Sequence, residues 1–138
     1  MKSLTFLFFL CCFSYAAAQK QYSLELNFLT DSNEQASDVQ VTFIKETQDD
    51  AVIINKVNTD KKGVLKLKLT DDYFDKNGSL IIQAYYHNQK AYYLDYYEKV
   101  SKKQFPFKKT VILEHIVPPT LEEINSMNPP PPPPPRAN

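Results

Sequence analysis

The sequence predicts an all-β fold, a seven-stranded antiparallel β-sandwich of Greek-key type, with a short C-terminal helical turn and a polyproline tail. Three observations predict it. Short apolar segments alternate with period two, turn signals separate them at close spacing, and the segment Val39 to Leu69 reads strand, strand, turn, strand. The pivot of that segment is Thr59-Asp60-Lys61-Lys62-Gly63. There Thr59 and Asp60 offer side-chain oxygens to the turn's own amides, and Gly63 supplies the positive φ of a tight reversal.

The first eighteen residues stand apart from the fold. Lys2 is the sole charge, Leu4 to Phe13 is an apolar core of signal-peptide length, and Ala16-Ala17-Ala18 presents small residues for cleavage. Cleavage between Ala18 and Gln19 leaves a mature chain of 120 residues. Both cysteines, Cys11 and Cys12, lie in this segment, so the mature domain has no disulfide and depends on its core. Membrane attachment is expected only through lipidation at Cys11 or Cys12, and neither has the small preceding residue that lipoprotein processing favours.

The strands follow in order. Leu24, Leu26 and Phe28 alternate with Glu25 and Asn27, giving a first strand over Ser23 to Leu29. Thr30 to Asp38 is polar and turn-like. Val39, Val41 and Phe43 share one face of the second strand, and Ala51 to Val57 is short, apolar and β-branched, as a third strand should be. Leu65, Leu67 and Leu69 point one way in the fourth. Thr70 to Gly78 is irregular, with Tyr73 and Phe74 expected to tuck into the core. A fifth strand is expected at Ser79 to Tyr86, a sixth at Ala91 to Tyr97, and a seventh at Lys109 to Ile116 with Val111, Leu113 and His115 on one face. These strands make one domain, 19–116, after the 1–18 signal.

Residues 117–138 form a proline-rich tail. Pro118-Pro119 ends the last strand, and Thr120 with Glu123 forms a capping box that starts a helical turn through Ile124. The seven prolines Pro129 to Pro135 dictate an extended polyproline II rod, a stiff spacer or a ligand.

Charge gives no sign of a nucleic-acid partner, and none is expected. Without Lys2 the chain has 15 basic against 16 acidic residues, and no basic stripe tracks a phosphate backbone. Only two glycines are present, so phosphate-cradling glycine loops are excluded, and no nucleophile elbow occurs. His87 and His115 lack partners at zinc spacing. Asp71, Asp72, Asp75 and Asn77 near Gly78 invite a calcium reading, yet aligning Gly78 with the EF-hand glycine places Tyr73 at the first ligand position. No catalytic residues, metal or cofactor are expected.

The strongest binding lead is aromatic. Tyr85, Tyr86, Tyr92, Tyr93, Tyr96 and Tyr97 crowd one hairpin, and adjacent tyrosines in a strand face opposite ways. One set must lie largely outside the core, suited to packing on a protein or stacking on a sugar.

Val39-Gln40-Val41-Thr42-Phe43 followed by Val57-Asn58-Thr59-Asp60-Lys61-Lys62-Gly63-Val64-Leu65-Lys66-Leu67 resembles the carboxypeptidase regulatory-like, transthyretin-like β-sandwich domains, with their T-D-x-x-G turn. The resemblance spans Tyr22 to Glu114; Asp31 to Ser37 departs from it by lacking glycine and proline. It implies no catalytic residues. It implies an accessory or protein-interaction module, exported and located in the cell envelope, as in stand-alone copies from Bacteroidota.

Overall fold

The computed structural model describes residues 19–127. The proposed signal segment with Cys11 and Cys12, and the proline run, lie outside the described residues.

Seven strands form two sheets. They are β1 (Tyr22–Thr30), β2 (Gln40–Glu46), β3 (Ala51–Asn58), β4 (Val64–Leu69), β5 (Ser79–Tyr85), β6 (Tyr96–Ser101) and β7 (Phe107–Leu113). One sheet has the order β4-β1-β7 and the other β3-β2-β5-β6. After the β2–β3 hairpin in one sheet, β4 returns to lie beside β1 in the other, which is a Greek-key return. The pairings are antiparallel except that of β1 with β7, which is parallel. A parallel partner was not legible in the sequence, because the alternation that marks a half-buried strand carries no direction.

The core is the space between the sheets. Leu24, Leu26 and Phe28 from β1 face Val41 and Phe43 from β2 and Leu80 and Ile82 from β5, all essentially inaccessible to solvent. Leu69 from β4 and Leu113 from β7 complete it. Phe74 is buried, and Tyr73 packs its ring edge-on against Phe43 at 5.6 Å, so the irregular segment contributes core residues as its sequence predicts.

The pivot turn is tied to three elements. The Thr59 side chain is buried; its Oγ1 accepts from the Val39 N–H at 3.0 Å, and the Thr59 N–H donates to the Val39 carbonyl at 3.0 Å. Asp60 Oδ1 accepts from the amides of Lys62 (2.9 Å) and Val64 (2.8 Å). Gly63 takes φ +74° and its carbonyl accepts from the Phe28 amide at 2.8 Å. The Asp75-Lys76-Asn77-Gly78 loop repeats this construction, with Asp75 Oδ1 accepting from Asn77 and Ser79 amides, both at 2.8 Å. In the glycine-free Asp31 to Asp38 loop, Asn33 (φ 62°) and Asp38 (φ 57°) take the left-handed positions instead.

The sixth and seventh strands are displaced from expectation. The tyrosine run 91–97 reads as a strand, yet the regular strand is Tyr96–Ser101, because Val100 is the side chain that fills the core beside Leu80. Glu98 and Lys99, which make this stretch look like loop, are tolerated because β6 is an edge strand. The last strand begins earlier, at Phe107, and ends at Leu113. The capping box forms as read: the Thr120 amide donates to Glu123 Oε2 at 2.8 Å and the Glu123 amide to Thr120 Oγ1 at 3.3 Å. It opens a helix α1 (Leu121–Met127) with no buried residue.

Candidate functional site

The six tyrosines divide as strand alternation requires. Tyr86, Tyr93 and Tyr96 face inward: Tyr86 and Tyr93 pack ring to ring at 5.0 Å, and Tyr96 meets Phe28 edge-on at 6.3 Å. The Asn88 side-chain amide donates to the Tyr93 hydroxyl, and Lys109 lies over the Tyr96 ring. These three are structural. Tyr85, Tyr92 and Tyr97 are 43%, 66% and 61% exposed and face solvent.

Two of the outward tyrosines share a surface with a histidine. The His87 ring lies 5.5 Å from Tyr85 and stacks on Tyr92 at 6.1 Å with 17° between planes. An isolated antiparallel bridge between His87 and Tyr92 holds this arrangement. The turn between them is closed by Asn88, whose Oδ1 accepts from the amides of Lys90 and Ala91. The result is a ledge of three rings beyond the end of β5. Tyr97 stands apart from it on the outer face of the four-stranded sheet, opposite Gln83.

The ledge continues into an apolar border. Tyr93 bridges His115, the Ile116 amide donates to the Tyr92 carbonyl at 2.8 Å, and the Leu94 amide donates to the Glu114 carbonyl at 2.8 Å. Residues directly opposite in such a pair point the same way, so Leu94 and Ile116 lie on the Tyr92 side, and both are about half exposed. The sequence lead therefore contained half of the surface. His87 was missed because its bridge to Tyr92 places it on the ledge, and Leu94 and Ile116 because only the pairing of residues 92–94 with 114–116 brings them there. One clamp sits behind the ledge: Asp31 Oδ2 accepts from both the ring and the backbone N–H of His115. The ring contact, then the backbone contact, hold the Asp31 carboxyl below the ordinary carboxylate range.

A second depression, about 740 Å³, runs between the β2–β3 hairpin tip and the Asp75 loop. Of the carboxylates that line it, Asp50 accepts from the Ala51 amide, Asp75 from the amides of its own turn, and Glu46 pairs with Lys99. Among the described residues no group of three or more His, Cys, Asp or Glu side chains is placed to hold a metal ion. None of the described helices is long and apolar enough to cross a membrane.

No protein-family model matches the chain, and no curated protein sequence matches it. Among solved structures, the chain is similar to (S)-allantoin synthase at 10% identity, with 70% of this chain and 41% of that one covered and a TM-score of 0.47. It is similar to the N-terminal domain of the shaft pilin SpaA from Lactobacillus rhamnosus GG at 14% identity, 70% and 95% coverage and a TM-score of 0.43. It is similar to the Bacillus anthracis TIE protein at 15% identity, 69% and 16% coverage and a TM-score of 0.38. The match thus spans less than half of the synthase and about a sixth of the TIE protein.

Proposed function

We propose that this chain is a non-catalytic, exported accessory module of the cell envelope that recognises a protein through the Tyr85–His87–Tyr92 ledge. The carrying observation is that three rings and the apolar side chains of Leu94 and Ile116 converge on one solvent-facing surface, while the neighbouring Tyr86 and Tyr93 are spent on packing. Aromatic rings bring large contact area at small cost in side-chain freedom, and a ring cluster bordered by aliphatic groups has the make-up of an interface core. The T-D-x-x-G turn on which the resemblance rests, and the signal-like segment that suggests export, support this reading.

A second reading is carbohydrate binding on the same rings, favoured by the near-parallel His87–Tyr92 stack. Binding of the chain to envelope fractions before and after protease digestion separates the two. Protein recognition requires that digestion abolish binding. Retention that survives digestion and is competed by soluble envelope polysaccharide would instead establish the sugar reading.

A further inference from the structure

We propose that the chain's own proline run, Pro129–Pro135, docks in cis on the Tyr85–His87–Tyr92 ledge. The inference rests on reading that ledge as a recognition surface, and it names the occupant of the unliganded protein. Three observations converge on it.

The chain leaves the sandwich at the ledge. Ile116 donates its amide to the Tyr92 backbone carbonyl, so the segment that leads to the prolines starts beside Tyr92. Four residues of link and the seven-residue helix α1 then intervene. An extended link reaches about 13 Å and such a helix rises about 10 Å, which leaves the run, itself about 22 Å long, able to fold back onto its point of departure.

The ledge has the chemistry of a polyproline groove. A polyproline II rod is already extended before binding, has no internal hydrogen bonds, and presents flat pyrrolidine faces and free carbonyls to aromatic surfaces carrying O–H or N–H donors. Tyr85, His87 and Tyr92 supply both. Their ring-to-ring steps of 5.5 and 6.1 Å lie along a length that one turn of the rod, about 9 Å, can follow.

Helix α1 buries none of its seven residues. Its Leu121 and Met127 are 77% and 74% exposed, and a seven-residue helix is below the roughly 12–15 residues at which isolated helices become even marginal. A tether this short sets an effective concentration of order millimolar, enough for a weak contact to close. An external partner must then displace the tail.

The test compares ring-carbon NMR spectra of the chain from Gln19 onward with those of the same chain ended at Met127, which keeps every strand and core residue. The expected result is that loss of residues 128–138 shifts the Tyr85, His87 and Tyr92 ring signals and leaves Phe43 unmoved, that the shifts do not change on about tenfold dilution, and that a free peptide of residues 128–138 restores them saturably. Identical ring spectra for the two chains would overturn the proposal, as would shifts that vanish on dilution, which would assign the occupant to a second copy. Capture of an envelope protein by the shortened chain is read separately: if it persists while the rings ignore the tail, only the tail docking fails.

Discussion

Gly63 sits against the carbonyl of Phe28 so closely that a Cβ at position 63 would stand 2.6 Å from that oxygen, and 2.7 Å from the carbonyl of Ala36. Both neighbours are backbone, so neither can rotate away. The T-D-x-x-G turn is therefore a packing joint between the start of β4, the end of β1 and the loop before β2.

Gly63→Ala is expected to cost more than about 2 kcal/mol, from the left-handed φ and the backbone clash together. Gly78 has the same φ of +74°, but its nearest neighbour is the flexible Lys102 side chain at 3.5 Å. Gly78→Ala should cost only the conformational strain, about 1 kcal/mol. Urea unfolding of the two variants checks the difference, and equal losses would refute the joint at Gly63.

Thr59→Val removes the acceptor of the Val39 amide in a buried setting while keeping the shape of the side chain. A loss of about 1–3 kcal/mol is expected, because a buried N–H is left unpaired. Thr59→Ser keeps the oxygen and should recover most of it. Equal losses for the two variants would show that the hydroxyl is not what matters.

Stability should fall at both ends of the pH scale. The Asp71 carboxyl is held below its ordinary range by the Lys102 ammonium and then by the Tyr22 hydroxyl, and the Glu25 carboxyl chiefly by Lys108. Their ionised forms favour the fold, so this contribution is complete above the ordinary carboxyl pKa near 4 and is lost as pH falls through the lowered folded values. Lys99 and Lys102 are raised, by Glu46 and Asp71 respectively. Their contribution is complete below the ordinary lysine pKa of about 10.4 and is lost as pH rises through the raised folded values. Asp71→Asn removes a carboxylate and the partner of Lys102 at once, so urea midpoints measured across pH should flatten on both limbs. Unchanged limbs would contradict the pairing.

Neighbouring tyrosines should separate stability from binding. Tyr93→Ala empties a buried site packed on Tyr86 and should cost about 3 kcal/mol or more. Tyr92→Ala removes a ring that is 66% exposed and should cost less than about 1 kcal/mol. Thermal unfolding of the pair reads the contrast directly.

Much of the sandwich was legible because Leu24, Leu26 and Phe28, and again Leu65, Leu67 and Leu69, repeat with the period of a strand and nothing competes with that reading. Thr59, Asp60 and Gly63 declared their turn through side-chain oxygen and positive φ. The loop at Asp75 reads as a solvated turn, but its likeness to the Thr59 turn was not legible, because acids near a glycine also resemble an ion site; only the hydrogen bonds show the carboxylate spent on its own amides. The sixth strand was misplaced because tyrosines favour strands wherever they stand, whereas the single Val100 that decides the register is surrounded by charge. The ledge was half legible. Alternation separates Tyr85 from Tyr86 and Tyr92 from Tyr93, but the approach of Ile116 and Leu94 is a long-range pairing that periodicity does not encode.

The most direct test of the ledge is the binding of the chain from Gln19 onward to protein extracted from the cell envelope of its source, measured for the unaltered chain, Tyr92→Ala, and a surface variant away from the ledge, Lys68→Ala. Recognition through the ledge predicts that Tyr92→Ala weakens binding about tenfold or more while Lys68→Ala leaves it unchanged. Equal binding by all three chains would place recognition elsewhere on the molecule and contradict the account.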